Sequence, residues 1–191
     1  NFLVYSNTIK ILSLSIASST IFLVYLLGRK FFSQKYSLVV ATLFAFEPHL
    51  NYNSGFGLSE PLYHLAIIGA FYFIINKNTK FIIPSFLLVG AVWWIRFNGI
   101  IFLAVLLIIY FATKRNSPNF YRNLFLAILI FLALVSPMLS QRSDQFGDPF
   151  YFAYSQYIFT GSFEKAISIE YENTVTSAVD YIDENGFCVC D

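Results

Sequence analysis

Long charge-free stretches alternate with short polar connections over the first 140 residues, and the stretches are apolar all round rather than on one side. A helix on the surface of a water-soluble protein keeps a polar stripe opposite its apolar one. None of these stretches has such a stripe, and crossing a hydrocarbon core takes about 20 apolar helical residues. Six spans are predicted on that basis: Ile11–Gly28, Tyr36 to about Leu50, Pro61–Ile75, Phe81–Ile95, Gly99–Thr113 and Asn123–Leu139. The second is interrupted near its end by Glu47-Pro48. Proline removes a backbone donor, and a broken helix at membrane depth is tolerated where it lines a protein-enclosed or water-filled cavity. The expected fold is all-α, a polytopic transmembrane bundle of about six spans over 1–140, with 141–191 as the start of an extracytoplasmic segment.

Composition supports this class. The 191 residues are 57% hydrophobic and 12% charged, with 23 Phe, against about 25% charged in a typical globular chain. Mean hydropathy is +0.63. A net charge of +1 excludes a strongly basic nucleic-acid binder, so no nucleic-acid partner is expected, and the lipid bilayer is the first partner.

The near-neutral sum hides a segregation. Arg29, Lys30 and Lys35, then Lys77 and Lys80, then Lys114, Arg115 and Arg122 fall in alternate connections, so eight of the twelve basic residues share one side with none of the eleven acids. Cytoplasmic loops are enriched in Lys and Arg, which assigns 29–35, 76–80 and 114–122 to the cytoplasm. Glu47, Glu60 and the acids after Ser140 lie on the opposite side, with Asn1–Lys10. The tail carries an aromatic stretch, Phe150-Tyr151-Phe152-Ala153-Tyr154, and then apolar residues at helical spacing over Glu164–Asp183. The only Met is Met138. The chain is expected to be the middle of a larger membrane protein that lacks at least one upstream helix. Cys188 and Cys190, two apart at the end, are weak candidates for disulfides with other segments or for a metal pair.

Polar residues at the ends of membrane helices are costly and tend to be functional. The predicted topology gathers Glu47, His49, Asn51, Asn53, Glu60, His64, Arg96, Asn98, Arg142, Asp144 and Asp148 at the outer face. Ser59 is a fitting N-cap for the third span, Pro61 suits its first turn, and Glu60 favours the positive helix end. Glu60 and His64 are four apart on one helix face, a spacing that packing accounts for and that could also hold a divalent metal. Arg96, in a very short turn beside Trp93 and Trp94, is suited either to grip a phosphate bidentately or to reach lipid headgroups.

Phe46-Glu47-Pro48-His49, an Asn/Ser/Gly-rich loop, Leu58-Ser59-Glu60-Pro61-Leu62-Tyr63 opening a helix, the turn Arg96–Gly99 and Phe146-Gly147-Asp148-Pro149 follow one another in an order and spacing that resembles the GT-C fold membrane glycosyltransferases. Within them the chain is most similar to the dolichyl-phosphate-mannose protein mannosyltransferase and aminoarabinose transferase group. The resemblance implies transfer of a sugar, a hexose such as mannose, from a polyprenyl-phosphate donor to a protein, lipid or glycan acceptor on the extracytoplasmic face. It implies Glu60 as a carboxylate lining the donor cavity and Arg96 as the phosphate contact; Glu47 is the second catalytic candidate, and Asn98, His49, His64, Arg142 and Asp148 are expected to bind substrate from their place at the outer face. No cofactor is required, although a divalent metal is compatible with it. The family's principal catalytic acid lies in a first outer loop that this chain does not contain, so the isolated chain is expected to be inactive. A secondary transporter and a non-catalytic membrane assembly subunit are the competing classes.

Overall fold

A computed structural model describes residues 2–57, 59–147, 149 and 150, with side chains from Asn7 onward except those of Phe97 and Phe146. The chain is all-helical, 84% helix, with no strand among the described residues. Seven α-helices follow in order: α1 Phe2–Gly28, α2 Gln34–Ala45, α3 Pro48–Phe56, α4 Glu60–Ile74, α5 Ile82–Ile95, α6 Ile100–Lys114 and α7 Phe120–Phe146. Short 3₁₀ turns, Thr79–Phe81 and Phe97–Gly99, lead into α5 and α6. The chain divides into two compact units, Asn1–Pro137 and Met138–Asp191. The aromatic stretch from Phe150 onward, the helical spacing over Glu164–Asp183 and the cysteine pair fall, beyond Phe150 itself, outside the described residues.

The boundaries differ from the predicted ones where local chemistry is stronger than the charge map. The start Phe2–Lys10, expected as an outer connection, is helical and continuous with α1. It contains no Gly or Pro, and Lys10 is a good helix former that interrupts nothing but hydropathy. The interruption at Glu47-Pro48 does divide the second span, but the Asn/Ser/Gly-rich loop expected after it is the helix α3. Glu47 caps that helix, its Oε2 accepting from the Leu50 N–H at 2.6 Å, and Pro48 opens the first turn. Gly57 closes it at φ 73°, the left-handed position that favours glycine. At the far end α7 runs past its predicted limits in both directions. It contains Arg122 and Arg142, and Gly147 ends it at φ 73° with its N–H on the Ser143 carbonyl at 2.9 Å. Pro137 sits inside α7 without ending it. Proline leaves the carbonyl four residues earlier without its usual donor, and the Ser136 hydroxyl donates to that Ala133 carbonyl at 3.2 Å.

Two helices, Asn7–Gly28 within α1 and Phe120–Gln145 within α7, are long and apolar enough to cross a membrane. Glu60–Ile74, Thr79–Ile95 and Ile100–Lys114 are shorter apolar helices, each about 22–26 Å long at 1.5 Å per residue.

Within the first unit α5 is the most buried helix. Phe86, Val89, Val92 and Trp93 are buried on it, and its Ser85 hydroxyl donates to the Ala70 carbonyl of α4 at 2.8 Å. Small residues let the backbones come close: a Cβ on Gly69 would meet Leu88 at 3.0 Å, and one on Gly90 would meet Leu134 at 2.8 Å. Both obstacles are ends of flexible side chains. On α7, Ala127, Phe131 and Val135 form a buried stripe at helical spacing, and Phe131 stacks on Trp93 at 5.9 Å. Trp94 ties the same helices together, its indole N–H donating to the Leu134 carbonyl at 2.9 Å.

The turn from α5 to α6 is the tightest piece of backbone. Arg96 leaves the helix at φ −146°, ψ 135°, and Gly99 folds back so closely that a Cβ there would lie 2.6 Å from the Trp93 nitrogen and the Val92 carbonyl carbon. Backbone cannot yield as a side-chain tip does. Gly99→Ala is expected to destabilise the chain by about 1–3 kcal/mol, the usual cost of overpacking, in denaturant unfolding in detergent. Gly55→Ala, at a helical glycine with nothing within 4 Å of its Cβ, is expected to be neutral or stabilising by up to about 1 kcal/mol. Equal effects of the two substitutions would contradict the close-approach account.

Candidate functional site

The charged residues of the first unit sort to its two ends. At one end lie α3, the start of α4 and the Arg96–Gly99 turn, with Gly57 packed against Ile9 and Lys10 of α1. At the other end Lys30 lies over the Tyr72 ring, 5.2 Å from its centroid, and the Lys114 ammonium donates to the Asn76 carbonyl. Glu47 and Glu60, the two acids described in this unit, both belong to the first end.

Glu60 is the first residue of α4. The preceding Ser59 occupies the N-cap position, but its side chain makes no capping bond, so the expected hydroxyl cap is absent. The positive end of the helix has the Glu60 carboxylate instead. Its Oε1 forms an ion pair with the Arg96 guanidinium, which reaches across from the turn after α5. Side-chain exposure is 17% for Glu60 and 44% for Arg96, so the carboxylate is mostly enclosed while much of the guanidinium stays open. Glu60 Oε2 is buried and accepts no hydrogen bond.

Tyr63, one turn along α4, provides a floor for this pair. The Arg96 guanidinium carbon lies 5.5 Å from the centre of its ring, within cation–π range. Phe102 of α6 and His64 brace the same ring edge-on at 6.1 and 5.9 Å. Both ends of the turn are pinned as well: the Arg96 N–H donates to the Val92 carbonyl at 3.0 Å, and the Gly99 N–H donates to the Arg96 carbonyl at 2.8 Å.

The other expected site residues are less closely gathered. Glu47 spends one oxygen on the cap of α3. His49 is exposed, and its Nε2 lies 3.1 Å from the Asn53 amide nitrogen, one turn along the same helix. Asn98 is exposed in the 3₁₀ turn two residues after Arg96. His64 turns Nδ1 to the Glu60 backbone carbonyl at 2.7 Å. A carbonyl only accepts, so Nδ1 carries the proton and Nε2 of the neutral ring is left as an acceptor. His64 also lines a cavity of about 20 Å³ with Thr20, Asn51 and Pro61, room for about one water. Arg142 belongs to the second unit, in the last turns of α7, with Asp144 near it. Asp148 lies outside the described residues.

Two expectations change. The Glu60–His64 spacing does not make a metal pair here, because the Glu60 carboxylate turns to Arg96 and the imidazole to a carbonyl. No group of three or more metal-ligating side chains occurs among the described residues. Glu60 and Arg96, which the sequence offers as separate candidates for a catalytic carboxylate and a phosphate contact, are in direct contact. Tyr63 was not singled out by the sequence. Its place three residues after Glu60, on the same face of α4, was the available signal.

No protein family, curated protein or solved structure matches the chain.

A double-mutant cycle measures the pair directly. Glu60→Gln, Arg96→Gln and the double variant are expected to show a coupling of about 0.5–2 kcal/mol in unfolding free energy, above the level at which independent sites add, and a smaller one at high salt. Additivity within about 0.3 kcal/mol at low salt would mean that the contact contributes nothing.

Proposed function

We propose that the chain is part of an integral membrane glycosyltransferase that takes a sugar, a hexose such as mannose, from a polyprenyl-phosphate donor and passes it to an acceptor on the extracytoplasmic face. The observation that carries this reading is the Glu60–Arg96 pair. It sets a half-exposed guanidinium and an enclosed carboxylate oxygen side by side at one end of an apolar bundle. Sugar transfer from a lipid phosphate calls for that combination, a cation where charge builds on the leaving phosphate and an acceptor for the proton of the attacking hydroxyl.

The membrane placement rests on the two membrane-length helices, on three further apolar helices and on the outer surface. Leu43, Ile108 and Phe125 are 69%, 68% and 65% exposed, in a chain with few charges to hold such a surface in water. In the proposed arrangement α2 and α3 together make one broken span among six. The connections around 29–35, 76–80 and 114–122 face the cytoplasm, and Glu60 and Arg96 face outward.

In the proposed reaction the acceptor hydroxyl attacks the anomeric carbon and the bond from that carbon to the phosphate oxygen breaks. The hydroxyl proton passes to a carboxylate, and the lipid phosphate departs as an anion. Arg96 holds the phosphate with the N–H groups that Glu60 does not occupy. Glu60 orients the guanidinium through Oε1, and Oε2 is its candidate proton acceptor. Glu47, bound to the cap of α3, is the weaker candidate. Asn98 and His49 are exposed at the same end and offer polar contacts to the sugar, while His64 Nε2 accepts from a hydroxyl.

The two members of the pair are expected to separate binding from chemistry. Arg96→Ala removes charge-assisted bonds of about 1.5–3 kcal/mol and should weaken binding of a polyprenyl-phosphate mannose tenfold or more. Glu60→Gln keeps the shape and removes a negative charge, so donor binding should hold or tighten while transfer by the whole glycosyltransferase of which the chain is part, the isolated chain being expected inactive, falls at least tenfold. Wild-type binding in Arg96→Ala together with wild-type transfer in Glu60→Gln would return both residues to a purely structural role.

A further inference from the structure

The end of the first unit away from Glu60 and Arg96 has its own cavity. It is a half-open hollow of about 490 Å³ between the end of α6 and the start of α7, lined by Phe111, Arg115, Asn116, Phe120 and Tyr121. That volume is in the range of small-molecule sites, and its floor is the buried Phe120, with exposed Phe111 and Tyr121 beside it. Phe120 is buried, stacks on Tyr110 at 4.8 Å and meets Phe111 at 5.4 Å and Tyr121 at 5.1 Å. The Tyr110 hydroxyl donates to the Phe120 carbonyl at 2.7 Å, which fixes α6 to the first residue of α7. Asn119 takes φ 60° to make the reversal, a conformation that Asn adopts more readily than most residues.

The two cations that close α6 have different tasks. Lys114 is buried, and its ammonium is committed to the Asn76 carbonyl. Arg115 is exposed and lines the cavity. It offers a planar fork of donors matched to a phosphate, and the Asn116 amide adds further donors. Arg122 follows in the first turn of α7, and neither this connection nor its neighbours contain an acid. Next to this polar mouth, α6 and α7 expose Ile108, Phe111, Phe125 and Leu129. A ligand with an anionic head and apolar chains matches both parts, whereas a soluble anion uses only the first.

We propose that this cavity binds the headgroup of an anionic phospholipid, its phosphate on Arg115 and Asn116 between the aromatic walls and its acyl chains along α6 and α7. The site rests on the membrane placement proposed above but not on the sugar-transfer reading, and it is separate from the Glu60–Arg96 end.

The test uses the chain in nanodiscs of phosphatidylcholine with increasing phosphatidylglycerol, with bound lipid counted by native mass spectrometry. Arg115→Gln should lower the preference for phosphatidylglycerol tenfold or more, on the scale of a lost charge-assisted contact. Arg115→Lys, which keeps the charge without the fork, should lie between. Lys80→Gln removes a cation from the same end that does not line the cavity, and should change the preference by less than about twofold in 0.15 M salt, where distant charges are screened. Equal losses in Arg115→Gln and Lys80→Gln would reduce the effect to general surface charge and overturn the site. Displacement of the lipid by millimolar inorganic phosphate would overturn its assignment to a lipid. Wild-type chain that resists carbonate extraction but shows no lipid preference overturns the site alone, whereas chain that is extracted overturns the membrane placement and the site with it.

Discussion

The ion pair between Glu60 and Arg96 joins two parts of the chain that sequence separates by a whole helical hairpin. Everything proposed for this end of the bundle depends on it. Glu60 is held at the start of α4 by the geometry of that helix, and Arg96 by a turn so short that only a glycine fits at its far end. Tyr63 supports the guanidinium from below. Removing any of the three supports would leave a carboxylate and a cation at the same end of the molecule but no longer in fixed relation. A partly exposed ion pair contributes little to stability by itself. Its importance is geometric, because it fixes which donors of Arg96 face outward.

The hydrophobic pattern located most of the helices because hydropathy changes abruptly at charged connections. Glu60–Ile74, Ile82–Ile95 and Ile100–Lys114 differ from the predicted segments by only a residue or two at each end. Pattern reading failed where local capping decides the backbone. The stretch Pro48–Phe56 is polar enough to read as a loop, yet Glu47, Pro48 and Gly57 supply a cap, a first-turn residue and a stop in the right places. The reverse holds at Phe2–Lys10, where Lys10 interrupts the hydropathy but nothing stops the backbone, and α1 runs through it.

At the site the sequence carried residue type and end of the bundle but not pairing. That Glu60 and Arg96 share an end follows from the alternation of the connections. That they touch depends on how α4 and α5 pack, with Gly69 and Ser85 at the contact between them, and on the reversal at Gly99. None of these leaves a mark in the charge pattern. The same holds for Tyr63, which reads as one aromatic among many until Arg96 lies over it. Burial divides the cations within one end as well as between ends: Lys114 is enclosed on a carbonyl, while Arg115 beside it and Arg96 at the opposite end keep exposed donors.

The central claim is that Arg96, held by Glu60, receives a lipid-linked phosphate. Nuclear magnetic resonance of the arginine side chains tests it most directly, with the chain in nanodiscs and the Arg96 signal assigned through Arg96→Lys. Adding a polyprenyl monophosphate should shift the Arg96 signal in a saturable way, and the matching polyprenyl alcohol should leave it unchanged. An Arg96 signal that stays in place at saturating lipid phosphate, or that moves equally with the alcohol, would contradict the account.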